Sequence, residues 1–384
     1  MTPASKKVLM LTQYLHLGGL ERMVFSLSSE LKARGEWEPQ AFVYDRISGA
    51  STENDLRPAF AAAGIPVTTF VKSRGFSPRL VLAIRRKLST ENITVIHTHD
   101  LGPLIYGACA KLSSFGRVRL VHTQHSFVNL SDRWIDRHYH RFFARFADEI
   151  AVVSDDTRST YVGLGVSPKK IHVIANGVRF PEQAAVDKKR HRKDLLDALE
   201  PFVESRWILY MARLHRTKGQ DHALKLWGRL SPGARGKSVL LFVGPESDAG
   251  ALERLRSGIA SAPDSSRILY MGATHSPERW LAAADLALSC SEFEGMPLGP
   301  IEAAGAGLPL VLSQIPGHEV VRPWSSQYPL ADPAQGALLV EEILNELEAG
   351  PEEYLRRTWE KASAVRERYT LARMGADYSR LYHG

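Results

Sequence analysis

Asp285-Leu286-Ala287-Leu288-Ser289-Cys290-Ser291-Glu292-Phe293-Glu294-Gly295-Met296-Pro297-Leu298-Gly299-Pro300-Ile301-Glu302-Ala303-Ala304 is the stretch that decides the architecture. Leu286–Leu288 is a short apolar run that ends at once in polar residues, as a strand buried on both faces does. A Gly/Pro-rich loop follows, and Pro300 suits the first turn of a helix, where its missing N–H costs nothing. Strand, loop and helix make one βα unit. The same alternation runs outward in both directions, which predicts parallel sheets covered by helices.

Upstream of that unit the strands expected in the same half are Trp207–Met211, Val239–Val243 and Arg267–Met271, with Leu308–Leu312 downstream. A first series precedes them at Val8–Leu11, Gln40–Tyr44, Val67–Phe70, Val95–Thr98, Arg119–Thr123, Glu149–Val153 and His172–Ile174. The series restarts after a charged stretch, so the pattern predicts an α/β protein of two Rossmann-like, doubly wound domains. The expected boundaries are residues 1–180, a linker over 181–204, a second domain over 205–350 and C-terminal helices over 351–384. The charged stretch 187–199 reads as a solvated helix in preference to a nucleic-acid arm. Tyr369, Tyr378 and Tyr382 near the C-terminus need a surface to pack on, and the first domain is the expected one.

Composition narrows the function classes. With 384 residues, 44% hydrophobic and 24% charged, the chain is long enough for two cores and is not a disordered, collagenous or coiled-coil protein. Forty-nine Lys and Arg against 42 Asp and Glu leave a net charge of +7, an excess that favours anionic partners. The two cysteines, Cys109 and Cys290, are far apart and lack metal-ligand spacing, so a disulfide framework and a zinc site are both unsupported and a reducing cytoplasm is expected. Val8-Leu9-Met10-Leu11 is too short for a signal-peptide core, and no run of ~18 apolar residues spans a bilayer.

In open α/β sheets ligands bind at the carboxyl ends of strands, so residues that directly follow strands are the candidates. Gly18 and Gly19, before the amphipathic stretch 22–33, pair a close backbone approach with a helix N-terminus, which suits a phosphate. Arg213 and Lys218 follow the first strand of the second half, where an arginine fork and a lysine point charge can grip a diphosphate. Glu294 and Glu302 flank the loop amides of Gly295, Met296 and Leu298, beside Pro297, and this layout fits a ligand with hydroxyls at both ends and an anion between. A nucleotide sugar has that layout.

Taken in order, Gly-Gly-Leu-Glu-Arg at 18–22, Val-Ile-Ala-Asn-Gly-Val at 173–178, Ala-Arg-Leu-x-x-x-Lys-Gly at 212–219 and the E-x7-E of Glu294 and Glu302 resemble the family 4 glycosyltransferases, from Val8 to about Tyr382. The resemblance implies a GT-B fold, two Rossmann-like domains facing across a cleft, with the acceptor on the first and the nucleotide-sugar donor on the second. It implies retention of anomeric configuration, with Arg213 and Lys218 neutralising the leaving diphosphate, Glu294 on the donor sugar, Glu302 on the ribose, and Gly18 and Gly19 against the phosphates. His125 resembles the family histidine that reaches the donor sugar. His97 and His99 resemble a stretch lining the cleft, and Asn176 falls in the second motif quoted. No cofactor and no metal are expected, since the chain lacks Asp-x-Asp and developing charge can be met by fixed cations. Two departures matter: Gly295-Met296-Pro297 replaces Gly-Phe-Gly, and Val243-Gly244-Pro245-Glu246 replaces Gly-x-Gly near the base pocket. A UDP-sugar is favoured over a GDP-sugar, and the acceptor is a glycan, a lipid-linked sugar or a small molecule.

Two surface stripes remain. Lys72, Arg74, Arg79, Arg85, Arg86 and Lys87 occur with no acid between them, which fits either a Rossmann helix packed on its own sheet or a basic face on the anionic inner membrane surface, and both can hold. Arg133, Arg137, Arg141 and Arg145 repeat beside Trp134, Phe142, Phe143 and Phe146, aromatics expected in the core in preference to a nucleic-acid platform, so no nucleic acid is expected as a partner. Competing readings are another enzyme of the same fold, such as a sugar-nucleotide epimerase or phosphorylase, and a non-enzymatic basic protein that binds membranes or polyanions.

Overall fold

The computed structural model describes residues 6–16, 18–45, 55–125, 134–180, 188–193, 195 and 197–384. Leu17, Ser126, Arg133, the stretch 181–187, Asp194 and Leu196, all touched on above, lie outside the described residues. The chain forms two units, Met1–Val178 with Tyr369–Gly384, and Arg179–Arg368.

The first unit holds β1 (Lys6–Thr12), β2 (Trp37–Asp45), β3 (Val67–Val71), β4 (Val95–His99), β5 (Arg119–Gln124), β6 (Glu149–Val152) and β7 (Ile171–Val173). They pair in the order β3-β2-β1-β4-β5-β6-β7, every pair parallel, with Met10 opposite Ala41 on one side and His97 on the other. Val8, Leu9, Met10 and Leu11 have no exposed surface, because helices cover both sheet faces. Helices Pro78–Thr90, Leu101–Ser113 and Trp134–Ala144 pack one face through Leu80, Ile84, Leu104, Ala108 and Ala144. Helices Gly19–Arg34 and Leu371–His383 pack the other through Met23, Leu27, Met374 and Tyr378.

The second unit repeats the plan with β8 (Arg206–Met211), β9 (Ser238–Val243), β10 (Ile268–Tyr270), β11 (Leu286–Ser289), β12 (Leu310–Ser313) and β13 (Ser326–Tyr328). Their order is β10-β9-β8-β11-β12-β13, again all parallel. The edge strand β13 is not foreseen from sequence, since Ser-Gln-Tyr shows no apolar run. Its fully buried Tyr328 holds it by donating a hydroxyl proton to Cys290 Sγ at 3.0 Å.

Two boundary expectations are corrected. The stretch 351–384 does not act as one element. Helix Pro351–Arg368 belongs to the second unit, where Arg366 lies 3.8 Å from the Trp359 ring centroid and donates to Gly305 O at 2.8 Å. Only Tyr369–Gly384 joins the first unit, where Trp37 Nε1 donates to Ser379 Oγ at 2.9 Å. The expected linker over 181–204 is partly core. Arg192 is 5% exposed, lies over the Trp207 ring and donates to Ala283, Val203 and Ser205 carbonyls and to the Asp285 carboxylate. A buried carboxylate at the start of β11 recruits cations, and Arg192 and Lys188 answer it, which the reading as a solvated helix missed. Among the described residues no helix is long and apolar enough to cross a membrane.

Candidate functional site

Both sheets reverse their order next to their first strand, between β1 and β4 and between β8 and β11. Such a switch point splays the loops at the strands' carboxyl ends and opens a binding crevice. The sequence candidates fall at these two places, and each unit is described separately.

In the second unit the chain leaves β8, makes a 3₁₀ turn over Arg216–Lys218 and enters helix Gln220–Trp227. His215 starts the turn by accepting the Thr217 N–H at 3.2 Å. Gly219 lies between turn and helix at φ +70°, and a Cβ there would stand 1.9 Å from Cys290 O, so only glycine lets the two loops meet. Three further bonds sew them together: Glu292 N–H donates to Thr217 O at 2.9 Å, Cys290 N–H donates to the Tyr210 hydroxyl at 3.0 Å, and that hydroxyl donates to Lys218 O.

The consequence is that Lys218 Nζ lies 2.6 Å from Glu294 Oε2, with 19% and 11% of the two side chains exposed. Ser291 Oγ donates to the other carboxylate oxygen at 2.7 Å. Burial alone would raise the Glu294 carboxyl, but the charge and hydrogen bond of Lys218, with the Ser291 bond, outweigh it and hold the group below its ordinary range. Behind the pair, Ser313 Oγ donates to Ser291 O at 2.6 Å, and His318 Nδ1–H donates to Ser313 O at 2.7 Å. Burial keeps His318 neutral, and its Nε2 has no hydrogen-bond partner among the described residues. Sequence reasoning missed His318; its signal is a histidine just after the strand next to β11.

Arg213 is exposed, and no hydrogen bond or ion pair of its guanidinium is found among the described residues; its carbonyl accepts from Gln220 Nε2 at 2.8 Å. Glu302 is 4% exposed, in the helix Leu298–Gly305. That helix starts at Pro297 with no side-chain cap, so its first amides are left to other partners. Met296 and Pro297 are buried and Gly295 half-buried in the loop before it. Thus the structure brings Lys218 and Glu294 into contact, with Arg213 on the same loop as Lys218 and Glu302 buried one helix turn into the element that follows Glu294.

In the first unit, Gly18 is the cap of helix Gly19–Arg34 in extended conformation, and a Cβ on it would meet Glu21 Oε2 at 2.3 Å. The Glu21 carboxylate therefore folds back over the glycine, where the sequence analysis expects a phosphate; a negative side chain is the usual occupant of such a helix start. His97 is not a crevice residue. It has no exposed surface, and its nitrogens bond Tyr382 Oη at 2.7 Å and Thr123 Oγ1 at 2.6 Å, so its work is to seat the C-terminal helix. Asn176 is 6% exposed in the segment that follows β7, next to the Val178–Thr370 bridge.

His99 and His125 do meet, Nδ1 to Nε2 at 3.0 Å, and His99 Nε2 and His125 Nδ1 are buried without hydrogen-bond partners among the described residues. One ring donates and the other accepts, and burial disfavours the charged form of both. Burial holds His125 at about 3 and, with the charges of neighbouring histidines, holds His99 well below the ordinary range. Asp100, also missed from sequence, organises them. It adopts φ +64°, a conformation that costs a non-glycine residue about 1–3 kcal/mol. In exchange its Oδ1 accepts the His125 N–H at 3.0 Å. Burial raises its carboxyl to about 6. The available signal was an acid at the first position after β4. Among the described residues no group of three or more His, Cys, Asp or Glu side chains is placed to hold a metal ion.

Two all-parallel Rossmann-like units, each with its polar residues gathered at a sheet switch point, define the GT-B class of folds. Residues 17–180 match the family described as Glycosyltransferase Family 4, and residues 205–348 match the one described as Glycosyl transferases group 1. This chain belongs to the family 4 glycosyltransferases. A curated relative, the UDP-Gal:alpha-D-GlcNAc-diphosphoundecaprenol alpha-1,3-galactosyltransferase of Escherichia coli, is 26% identical over 255 residues, 62% of this chain and 62% of that protein. The match thus spans less than two thirds of that relative's length. The crystal structure of Anabaena Alr3699/HepE in complex with UDP-glucose superposes with a TM-score of 0.80 at 18% identity, covering 98% of this chain and 99% of that one. A glycosyltransferase from Rickettsia africae superposes equally well, with a TM-score of 0.80, 17% identity and 98% of each chain covered. At these identities the solved structures speak for the fold alone.

Proposed function

We propose that the chain transfers a sugar from a nucleotide-diphosphate sugar, a UDP-sugar in preference to a GDP-sugar, to a glycan, lipid-linked or small-molecule acceptor, with retention and without a metal ion. The observation that carries this reading is the pairing of Lys218 with Glu294 across the β8/β11 switch point, with an exposed Arg213 guanidinium on the same loop as Lys218 that has no protein partner among the described residues. Breaking the sugar–phosphate bond develops negative charge on the leaving diphosphate. Fixed cations stabilise that charge without solvent reorganisation, and Arg213 and Lys218 are the groups assigned to it. A diphosphate competes with Glu294 for the ammonium and leaves the carboxylate to accept from sugar hydroxyls. Glu302 is assigned to the ribose, the amides of the 295–298 loop to the donor, and His125 to the transfer step.

The uridine preference draws support from the E. coli relative, whose name specifies UDP-Gal, and from the Anabaena protein, solved with UDP-glucose. Retention rests on the family resemblance. The test is incubation with a panel of UDP- and GDP-sugars, with and without EDTA, followed for slow donor hydrolysis and for the anomer formed. Consumption of a UDP-sugar unaffected by EDTA is expected, falling roughly 10²–10³-fold in Arg213→Ala. Faster turnover of GDP-sugars overturns the base assignment, loss of activity in EDTA overturns metal independence, and no consumption of any donor overturns the reading.

A further inference from the structure

The large apolar side chains left in solvent are unevenly shared. Among the described residues Leu338 is the one large apolar side chain of the second unit that is clearly exposed, whereas the first unit exposes Phe76, Leu82, Leu112, Phe115, Trp134 and Phe142 by 49–86% each. These six lie on or beside the three helices that cover one sheet face. Helix Pro78–Thr90 packs against Leu101–Ser113, which packs against Trp134–Ala144. Phe76 stacks on Tyr106 with ring centroids 5.4 Å apart, and Lys111 pairs at 2.6 Å with Asp148 in the segment that follows helix Trp134–Ala144.

The expectation that Trp134 and Phe142 belong to the core is therefore wrong. Helix Trp134–Ala144 turns His140 and Ala144 inward and leaves Trp134 73% and Phe142 49% exposed. On helix Pro78–Thr90 the buried residues are Leu80, Ile84 and Leu88, so its apolar stripe is spent on the sheet. Leu82 instead projects outward between exposed Arg79 and Arg86. Arg137 and Arg141 alternate in the same way with the aromatics of helix Trp134–Ala144, and Arg145, just past its end, lies 5.3 Å from the Phe142 ring centroid. Of the acids nearby, Glu91 is paired with Lys87 at 2.7 Å and Asp148 with Lys111, which leaves Asp136, in the first turn of helix Trp134–Ala144, as one carboxylate among the surrounding arginines.

We infer that this three-helix face of the first unit is a docking surface for an anionic lipid bilayer. Apolar side chains set among arginines match an interface where headgroups carry negative charge and the acyl boundary lies just beneath. A polyanion in water explains the arginines and gives six exposed apolar side chains nothing to bury against. A second copy of the chain fits worse, because a two-fold contact would set Arg79, Arg86, Arg137 and Arg141 of each copy against their counterparts with Asp136 as the one carboxylate of these helices left to answer them. The inference is independent of the reaction proposed above.

The test is sedimentation of the full chain with phosphatidylcholine vesicles and with vesicles containing 30% phosphatidylglycerol, at low and high salt. Selective retention on the anionic vesicles, weakened by salt, is expected. Arg79→Gln with Arg86→Gln should lower partitioning about thirtyfold, roughly fivefold per base removed. Trp134→Ser with Phe142→Ser should lower it at low salt as well, and Phe115→Ser, in a turn, gives a third readout with little risk to folding; melting curves check that each variant is folded. Equal retention on neutral and anionic vesicles overturns the inference. So does heparin binding that matches vesicle binding and ignores the aromatic substitutions, or self-association without lipid that Phe142→Ser abolishes.

Discussion

Replacing Lys218 by methionine keeps the aliphatic stem and removes the charge that holds Glu294 ionised. The carboxylate is then left with the Ser291 hydroxyl at 2.7 Å and with 11% of its side chain in solvent. Removing one partner of a fully buried pair costs about 3–5 kcal/mol. Here the Ser291 bond, the residual exposure and the option of taking up a proton reduce that to about 2–3 kcal/mol. In a unit of this size each kcal/mol moves the midpoint about 2–4 °C, so the second unit should melt roughly 5–10 °C lower. Glu294→Gln should cost about 1 kcal/mol, because Lys218, 19% exposed, can turn to water. The double substitution should be more stable than Lys218→Met alone, which no sum of independent losses produces.

The pH dependence separates this account from simple loss of packing. In the wild type Glu294 is held below its ordinary range, so its contribution is present above the ordinary carboxylate pKa and is lost as pH falls through the folded value. Without Lys218, burial raises the group, the folded state binds the proton more tightly, and stability declines as pH rises past the ordinary value. Calorimetric melts of wild type and Lys218→Met between pH 4 and 7 should therefore have slopes of opposite sign in this contribution. Parallel slopes, or a double variant that is the least stable of all, would refute the argument.

Two further outcomes are expected. Arg192→Met should cost about 2–3 kcal/mol in chemical denaturation of the second unit, because it removes the closest cation of the Asp285 carboxylate, 3% exposed, and leaves it the Trp207 N–H at 2.8 Å with Lys188 at 3.4 Å and Arg206 at 3.6 Å. In the first unit His122 and His125 are held at about 3 and His140 at about 4, in each case chiefly by burial. The unfolded chain takes up protons near 6.5 that the native state refuses, so stability is full above that value and falls as pH drops toward 5, by up to about 1.4 kcal/mol per group per pH unit. Asp100, raised to about 6, opposes a part of this. Thermal melts from pH 7.5 to 5 should show the decline, and His122→Gln should flatten it; an unchanged midpoint across the range contradicts the neutral histidine core.

The strands legible in sequence are those whose burial on two faces forces a continuous apolar run, such as Val8–Leu11 and Leu286–Leu288. β13 was not legible because one tyrosine holds it. Arg213, Lys218 and Glu294 were legible as candidates because they follow strands, but the contact of Lys218 with Glu294 depends on Gly219 admitting Cys290 O, and nothing in the local pattern announces that approach. His97 misled for the opposite reason. It lies two residues from His99, yet its partner Tyr382 is 285 positions away, so no local pattern tells a ligand-facing histidine from one that seats a distant helix. Arginine at every fourth position beside aromatics gave the right helix and the wrong face, since amphipathic spacing fixes which residues share a side and not which side meets the sheet.

One strand order, used twice, has been filled with opposite electrostatics. At the β8/β11 switch the chain keeps a full ion pair, Lys218 with Glu294, and an exposed Arg213 whose guanidinium has no protein partner among the described residues. At the β1/β4 switch it keeps imidazoles that burial forbids to charge and an aspartate pushed up to about 6. A neutral imidazole offers one donor and one acceptor, the complement of a hydroxyl, and carries no charge to attract a diphosphate. The Glu21 carboxylate over Gly18 adds to that bias, because it repels the anion that the paired glycines would otherwise invite. The division of ionic from neutral side chains thus follows from which residues the sequence spends at each switch point, and the shared topology does not dictate it.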